Sequence, residues 1–377
     1  MTEIAAQMRI TRHIRRGRKN VLLAAGLYAF FLTFVMLQIA IGGETIRCSV
    51  CHKVIHGRYY RDNQGRAYCS KECLLKALPK CSVCHRPITS NFLRHNGKVY
   101  CSRTCLNKEL PKCALCGNPL NGWVQIRGYK FCSDCAKLSR CAECGLPTRK
   151  GMRYPDGRIV CDHCHQYVIE DRDKVMAYYL RARQELAEFT GETIAGTPEL
   201  KLVGLDEVQQ HLSKLFGYQV KGTIRGYYFR EELVDPQHPD HNILQGKTIF
   251  MLYGMKANHY LLTAVHESTH DLMAENYPQI NQVAPAWLKE GVCQYTSFSI
   301  AWKYKLKTYF VEFIEHADPN YGGGFRYLLK RFGPGNWSRV ALWLKSLDPA
   351  KLPATAPEVT AQEIWSLLRK YAAAKTN

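Results

Sequence analysis

From Gln166 to Asn377 the sequence has a single cysteine, Cys293, although 16 others crowd the stretch from Cys48 to Cys164. The chemistry therefore changes at that point, and the chain is not one uniform cysteine-rich scaffold. Acidic residues are scarce, 32 Asp and Glu against 52 Lys and Arg, which leaves a formal charge of +20. That balance excludes no anionic partner, whether nucleic acid, lipid surface or acidic protein, and it selects none. Apolar residues are not scarce: at 46% they exclude wholesale disorder. A length of 377 residues calls for two or three parts rather than one domain.

Charge is missing altogether from "VLLAAGLYAFFLTFVMLQIAI", the 21 residues 21–41. At about 1.5 Å per residue such a helix is about 31 Å long, enough for a hydrocarbon core of ~30 Å. A secretory signal has a shorter apolar core and a small-residue cleavage site, neither of which is evident here. The stretch is expected to form an uncleaved transmembrane helix behind a basic tail, 1–20. Arg9, Arg12, Arg15, Arg16, Arg18 and Lys19 precede it, and only Arg47 and Lys53 follow within 42–57. The positive-inside rule then puts the N-terminus in the cytoplasm and the bulk of the chain outside it, a single-pass membrane placement. Sixteen thiols are safer in a reducing compartment, which pulls the other way.

The cysteines form four modules: Cys48, Cys51, Cys69 and Cys73 (48–76); Cys81, Cys84, Cys101 and Cys105 (81–110); Cys113, Cys116, Cys132 and Cys135 (113–138); and Cys141, Cys144, Cys161 and Cys164 (141–165). Their starts recur every 33, 32 and 28 residues, a repeat array. Between the paired cysteines, "RDNQGRAYCS", "LRHNGKVYCS", "QIRGYKFCS" and "YPDGRIVCD" each place a glycine turn before the second pair, as in a β-hairpin. "CLLKAL" and "CLNKEL" then read as short helices. Two knuckles joined by a hairpin bring four thiolates to one tetrahedral point, a closed structural zinc site. In modules this small, metal binding is most of the folding energy. Disulfides and covalent haem, the latter matching "CSVCH" and "CDHCH", compete with zinc. Gly117 and Gly145 stand in the histidine position of the third and fourth modules, and haem leaves the partner pairs unexplained.

After Cys164, 166–190 reads as a linker helix, and 191–377 has the length of one further domain. "KLVGL", "TIRGYYF" and "GKTIFMLYG" read as strands and "LDEVQQHLSKLF" as a helix between the first two. "LLTAVHESTHDLMAENY" contains His-Glu-x-x-His on a stretch free of Pro and Gly. On a helix, His266 and His270 share a face, suited to one zinc ion, and Glu267 lies beside them as a general base. Twenty residues on, "APAWLKEGVCQY" offers Glu290 as third ligand on a second helix begun by Pro285. Cys293 is the rival donor, and Gln294 is placed to hydrogen-bond a ligand imidazole. Tyr295, His316 and Tyr321 are candidates to stabilise an oxyanion, with packing or surface as the ordinary alternative for each. The strand "TIFMLYG" is a candidate edge for an extended substrate.

The modules resemble LIM domains, although five to seven residues separate successive modules and the first two use Cys-x3-Cys. "LYG", "HESTH", "EGVCQY" and "DPNYGGGFR" resemble the LIM-containing, ubiquitin-activated zinc peptidases of plant organ-size control. The resemblance is close from Gly246 to Phe332 and makes the chain look like a membrane-anchored relative. It implies an α+β gluzincin-like metallopeptidase domain after the tandem zinc modules, with His266, His270 and Glu290 on a catalytic zinc and Glu267 as base. No ubiquitin-interacting motif precedes the modules, so ubiquitin is not carried over. The expectation is a membrane-anchored zinc metallopeptidase acting on a protein substrate. It would hold one catalytic and up to four structural zinc ions, and its modules would bind a protein partner. Nucleic acid is disfavoured because the modules lack a basic recognition helix. The alternative is a non-catalytic zinc-finger adaptor with a peptidase-like binding domain.

Overall fold

The computed structural model describes residues 45–374 apart from 63, 223 and 235–241. The described residues fall into two units, one ending at Lys137 and one beginning at Leu138. In the first, β1 (Tyr60–Arg61) pairs with β2 (Ala67–Tyr68) ahead of α1 (Lys71–Ala77). The pattern repeats with β3 (Leu93–His95), β4 (Lys98–Tyr100) and α2 (Arg103–Glu109), then with β5 (Val124–Ile126), β6 (Tyr129–Phe131) and α3 (Ser133–Ala136). Ser70 and Ser102 cap α1 and α2 by accepting the amides of Cys73 and Cys105, so each cap also orients a thiol.

The second unit opens with the fourth module: β7 (Met152–Arg153), β8 (Ile159–Val160) and α4 (Asp162–His165). There follow β9 (Val168–Ile169), α5 (Arg172–Thr190), β10 (Glu199–Val203), α6 (Leu205–Phe216), β11 (Gly226–Val234), β12 (Asn242–Leu252) and β13 (Met255–Lys256). The rest is helical: α7 (Ala257–Asn276), α8 (Pro278–Val283), α9 (Ala286–Lys303), α10 (Lys307–Ile314), α11 (Gly324–Phe332), α12 (Trp337–Ser346) and α13 (Ala361–Ala374). The linker helix begins later than its charge pattern suggests, because Val168 and Ile169 pair with Lys256 and Met255 first.

The fold class expected from the sequence needs correction, and so does the single-pass membrane placement. Among the described residues no helix is long and apolar enough to cross a membrane. The segment that carried both expectations, 21–41, lies outside the described residues. The described chain instead has 13 α-helices and small sheets, with cysteine clusters of metal-binding geometry.

Strand order in the three-stranded sheet is β10-β12-β11, with β10 parallel and β11 antiparallel to β12. The expected substrate strand, "TIFMLYG", is therefore the central one; its edges are occupied by Leu200–Val203 and Gly226–Phe229. Among the described residues β11 is the edge strand next to α7.

Helix α7 is buried on nearly every side, which is why its sequence lacks a clean polar face. Tyr260, Leu261, Ala264 and Val265 pack with Ile249 and Met251 of the sheet and Val175, Tyr179 and Leu186 of α5. Leu272 and Met273 enter a second cluster with Trp287, Leu288 and Phe298 of α9 and Phe325 and Leu328 of α11. Helices α9 and α11 touch backbone to backbone: a Cβ at Gly324 would sit 1.9 Å from the Trp287 carbonyl oxygen. Only glycine allows that approach, which seats the segment before α11 against the end of α9 that carries Glu290.

Candidate metal centres

Each of the four modules gathers its cysteines into one cluster, with every sulfur within 4.8 Å of the others. Sulfur separations of 3.5 Å (Cys51 to Cys69), 3.6 Å (Cys84 to Cys101), 3.9 Å (Cys116 to Cys132) and 4.0 Å (Cys144 to Cys161) match a tetrahedron. With metal–sulfur bonds of ~2.3 Å, its edge is about 3.8 Å. All 17 cysteines are free thiols, so the disulfide alternative is not realised. His52, His85, Gly117 and Gly145 occupy equivalent knuckle positions at φ of 60°, 57°, 72° and 67°. The histidine of the haem-like pattern thus fills a left-handed turn that glycine fills elsewhere, a backbone requirement rather than an axial ligand.

The second kind of centre lies on α7. His266 and His270, one turn apart, have ring centroids 5.1 Å apart. Across from them α9 presents Glu290, whose Oε2 lies 3.2 Å from Nε2 of His266 and 3.6 Å from Nε2 of His270. That oxygen is buried and has no hydrogen-bond partner among the described residues. Three potential ligand atoms therefore converge on one point, paired with one another by charge. For metal bonds of ~2.0–2.1 Å, a tetrahedral edge is about 3.3 Å, so the donor set fits one zinc-sized ion. Burial pushes the Glu290 carboxyl up, but the His270 and His266 imidazoles outweigh it and hold it well below the usual range. Burial works against charging His270, yet Cys293 and Glu290 raise its pKa well above the ordinary value.

Cys293, three residues past Glu290 and fully buried, places its sulfur within 4.8 Å of both imidazoles. Two donor triads thus share the histidines. Glu290 lines an open cleft together with His266, Glu267 and His270, whereas Cys293 is not on the cleft wall. Burial also pushes the Cys293 thiol up to about 11. Glu290 is the donor that a cleft-bound ion would meet.

Glu267 is only 6% exposed, and burial raises its carboxyl above the usual value despite the neighbouring imidazoles. It faces the start of β11, where a Cβ on Gly226 would lie 2.8 Å from Glu267 Oε1. Tyr321 closes the other side, its ring stacked on His266 at 5.9 Å and 13°. It sits in a single π-type turn, Pro319–Gly323, a local form frequent at functional sites. Asp318 caps that turn by accepting the amides of Asn320 and Tyr321, and Arg326 donates to the carbonyl oxygens of Ile314, His316 and Val359. These roles account for much of "DPNYGGGFR".

The remaining sequence candidates fall elsewhere. Tyr295 is core: its hydroxyl donates to the Gly333 carbonyl at 2.7 Å and accepts the Asn336 amide at 2.9 Å. His316 is exposed behind Tyr321, 5.6 Å between ring centroids, and is not on the cleft wall. Gln294 is half-buried and hydrogen-bonds neither imidazole among the described residues.

Sequence reasoning missed Asp271, which is fully buried beside His270. It meets Arg183 at 3.1 Å, Lys247 at 2.9 Å and the Tyr228 hydroxyl at 3.0 Å, tying α7 to α5, β12 and β11. Nothing in "HESTHD" distinguishes such a buried anchor from a surface charge. No family model matches this chain and no curated protein matches it, so the function has to be read from the geometry of these centres.

Proposed function

We propose that the second unit is a zinc metallopeptidase that hydrolyses peptide bonds of a protein substrate, and that the modules hold structural zinc. The observation that carries this reading is the convergence of His266, His270 and Glu290 at ligand–ligand spacing in an open cleft that also contains Glu267. The resemblance of "HESTH", "EGVCQY" and "DPNYGGGFR" to the LIM-containing peptidases supports it. The four-cysteine clusters suit zinc in its closed, structural form. We assign partner recognition to modules one to three, whose hairpins leave Tyr60, Phe92, Trp123 and Tyr129 exposed.

His266, His270 and Glu290 would hold the zinc ion, which would supply Lewis acidity toward a carbonyl oxygen and toward water. Glu267 accepts the proton from the oxygen of the attacking water and delivers it to the leaving amine nitrogen. Its burial strengthens it as a proton acceptor for that step. Burial and the carboxylates of Glu290 and Glu267 raise the pKa of the Tyr321 phenol, which keeps it protonated as a donor to the developing oxyanion. The free edge of β11, from Gly226 to Arg230, pairs with an extended substrate, and the missing side chain of Gly226 leaves room for Glu267.

In the full chain, Glu267→Gln should retain zinc and lose about 10²–10⁴-fold in casein cleavage. Equal cleavage by both forms over long incubation, with zinc bound, would sink the hydrolase assignment. One observation favours a non-catalytic adaptor instead: Cys293 is a rival third donor to the two imidazoles and is not on the cleft wall, so an ion held there would be turned away from substrate. The same comparison decides, since an adaptor binds zinc and cleaves nothing in either form.

A further inference from the structure

The fourth knuckle differs from the other three in carrying a charge between its cysteines. The residue before the second cysteine is Val50, Val83 and Leu115 in modules one to three and Glu143 in module four. Glu143 is 3% exposed, a buried acid where its counterparts are apolar. Its Oε2 accepts the Lys256 amide at 3.2 Å and lies 2.7 Å from Nδ1 of His259. Lys256 is the N-cap residue of α7, and no side chain of its own segment caps that helix. The cap comes instead from a residue 113 positions earlier in the chain. A carboxylate there satisfies an amide at the helix start and complements the positive end of the helix dipole.

Three further contacts, from module four and the strand that follows it, fix the same entry. Val168 and Ile169, just after Cys164, pair with Lys256 and Met255. Arg158 donates to the Tyr253 carbonyl at 2.7 Å. Gly254, at φ +73°, lies against the Tyr154 ring, where a Cβ would be 2.7 Å from it. His259, 4% exposed, stands seven residues before His266 and so on the same face of α7, about 10 Å along the axis. Its Nε2 lies 3.8 Å from Glu312, which pairs at 3.1 Å with Arg225, the residue before β11. The chain Glu143, His259, Glu312, Arg225, buried at its first two members and half-buried at its last two, thus runs from the fourth knuckle to the edge strand of the cleft.

We propose that the fourth module is a built-in part of the metallopeptidase centre rather than a recognition module. Glu143 acts as a positioning residue that sets where α7 begins and how it is turned, and through it where His266, Glu267 and His270 point. The proposal rests on the metallopeptidase reading for its kinetic readout alone.

Glu143→Val gives the knuckle the residue that modules one and two already carry, so the four-cysteine cluster should still close. In the full chain, the zinc absent from His266→Ala identifies the ion of the histidine site. Release of that ion to a chelator is expected to be about tenfold faster in Glu143→Val, as for other partners that orient ligands. kcat should fall with KM little changed, and Glu143→Gln, which keeps an acceptor oxygen, should recover part of both. Unchanged release and kcat in Glu143→Val would overturn the proposal. So would loss of two zinc ions, which would mean that Glu143 serves its own knuckle. If the wild-type chain cleaves nothing, the hydrolase reading falls while the zinc-release comparison still decides this one.

Discussion

Gly226→Ala tests the placement of Glu267 without removing any ionisable group. Gly226 does not use the left-handed backbone region, so alanine brings no conformational penalty of that kind. The cost is steric. The new Cβ would lie 2.5 Å from Thr263 Cγ2, 2.8 Å from Glu267 Oε1 and 2.9 Å from Glu267 Cγ. Favourable carbon contacts are about 3.5–4.0 Å, so roughly 1 Å must be found. Residues 226–234 are held along β12, and Thr263 and Glu267 are fixed on a buried helix. Overpacking of this kind costs about 1–3 kcal/mol of stability. A displacement of about 1 Å at a reacting group costs on the order of 10²-fold in rate, about 2.7 kcal/mol at the barrier. The assay is kcat and KM on a casein-derived peptide beside zinc content and the unfolding midpoint. kcat should fall about a hundredfold with zinc retained. A kcat within threefold of wild type and an unchanged midpoint would refute both the tight packing of β11 on Glu267 and its role as base.

Two other outcomes follow from the packing of the same unit. Asp271→Ala leaves Arg183 and Lys247 without their buried counter-charge and should destabilise the second unit by about 3–5 kcal/mol in urea unfolding. A loss below about 1 kcal/mol would show that water reaches the cluster. Asp156, 4% exposed at its side chain, accepts the amides of Leu205 and Arg158 and the Arg158 guanidinium. Burial pushes its carboxyl up, but those bonds prevail and hold it below the usual value. A depressed folded pKa stabilises above the unfolded value of about 3.9 and loses that contribution as pH falls below it. The stability gap between wild type and Asp156→Asn, about 1.5–3 kcal/mol at neutral pH, should therefore shrink below pH ~4; a gap that widens there contradicts the assignment.

Much of the local structure was legible because it depends on short-range rules. The x2 and x3 cysteine spacings and the glycine turns specify each module within about thirty residues, and the four clusters form as those spacings imply. The helix over "LDEVQQHLSKLF" spans Leu205–Phe216 because its polar and apolar residues alternate with helical period. The spacing of four between His266 and His270 suffices to put both on one face of any helix.

Other features depend on partners far apart in sequence, which periodicity cannot rank. "TIFMLYG" carries the pattern of a strand but not its place in the sheet; hydrogen bonding from both sides makes it central and leaves the edge to β11. Tyr295 and Tyr321 look alike as aromatic candidates. One is held in the core by Gly333 and Asn336, and the other is brought to His266 by a π turn that close glycine packing permits.

The sequence by itself determined the four thiol clusters and the pairing of two imidazoles with a carboxylate on one helix, because covalent spacing and helical phase suffice for both. Only the tertiary structure decided that Glu290 meets those imidazoles at 3.2 and 3.6 Å, and that the fourth module, through Glu143, supplies the cap of their helix. Convergence of side chains from the fourth knuckle, α7 and α9 is set by how buried surfaces pack, and no run of neighbouring residues encodes it.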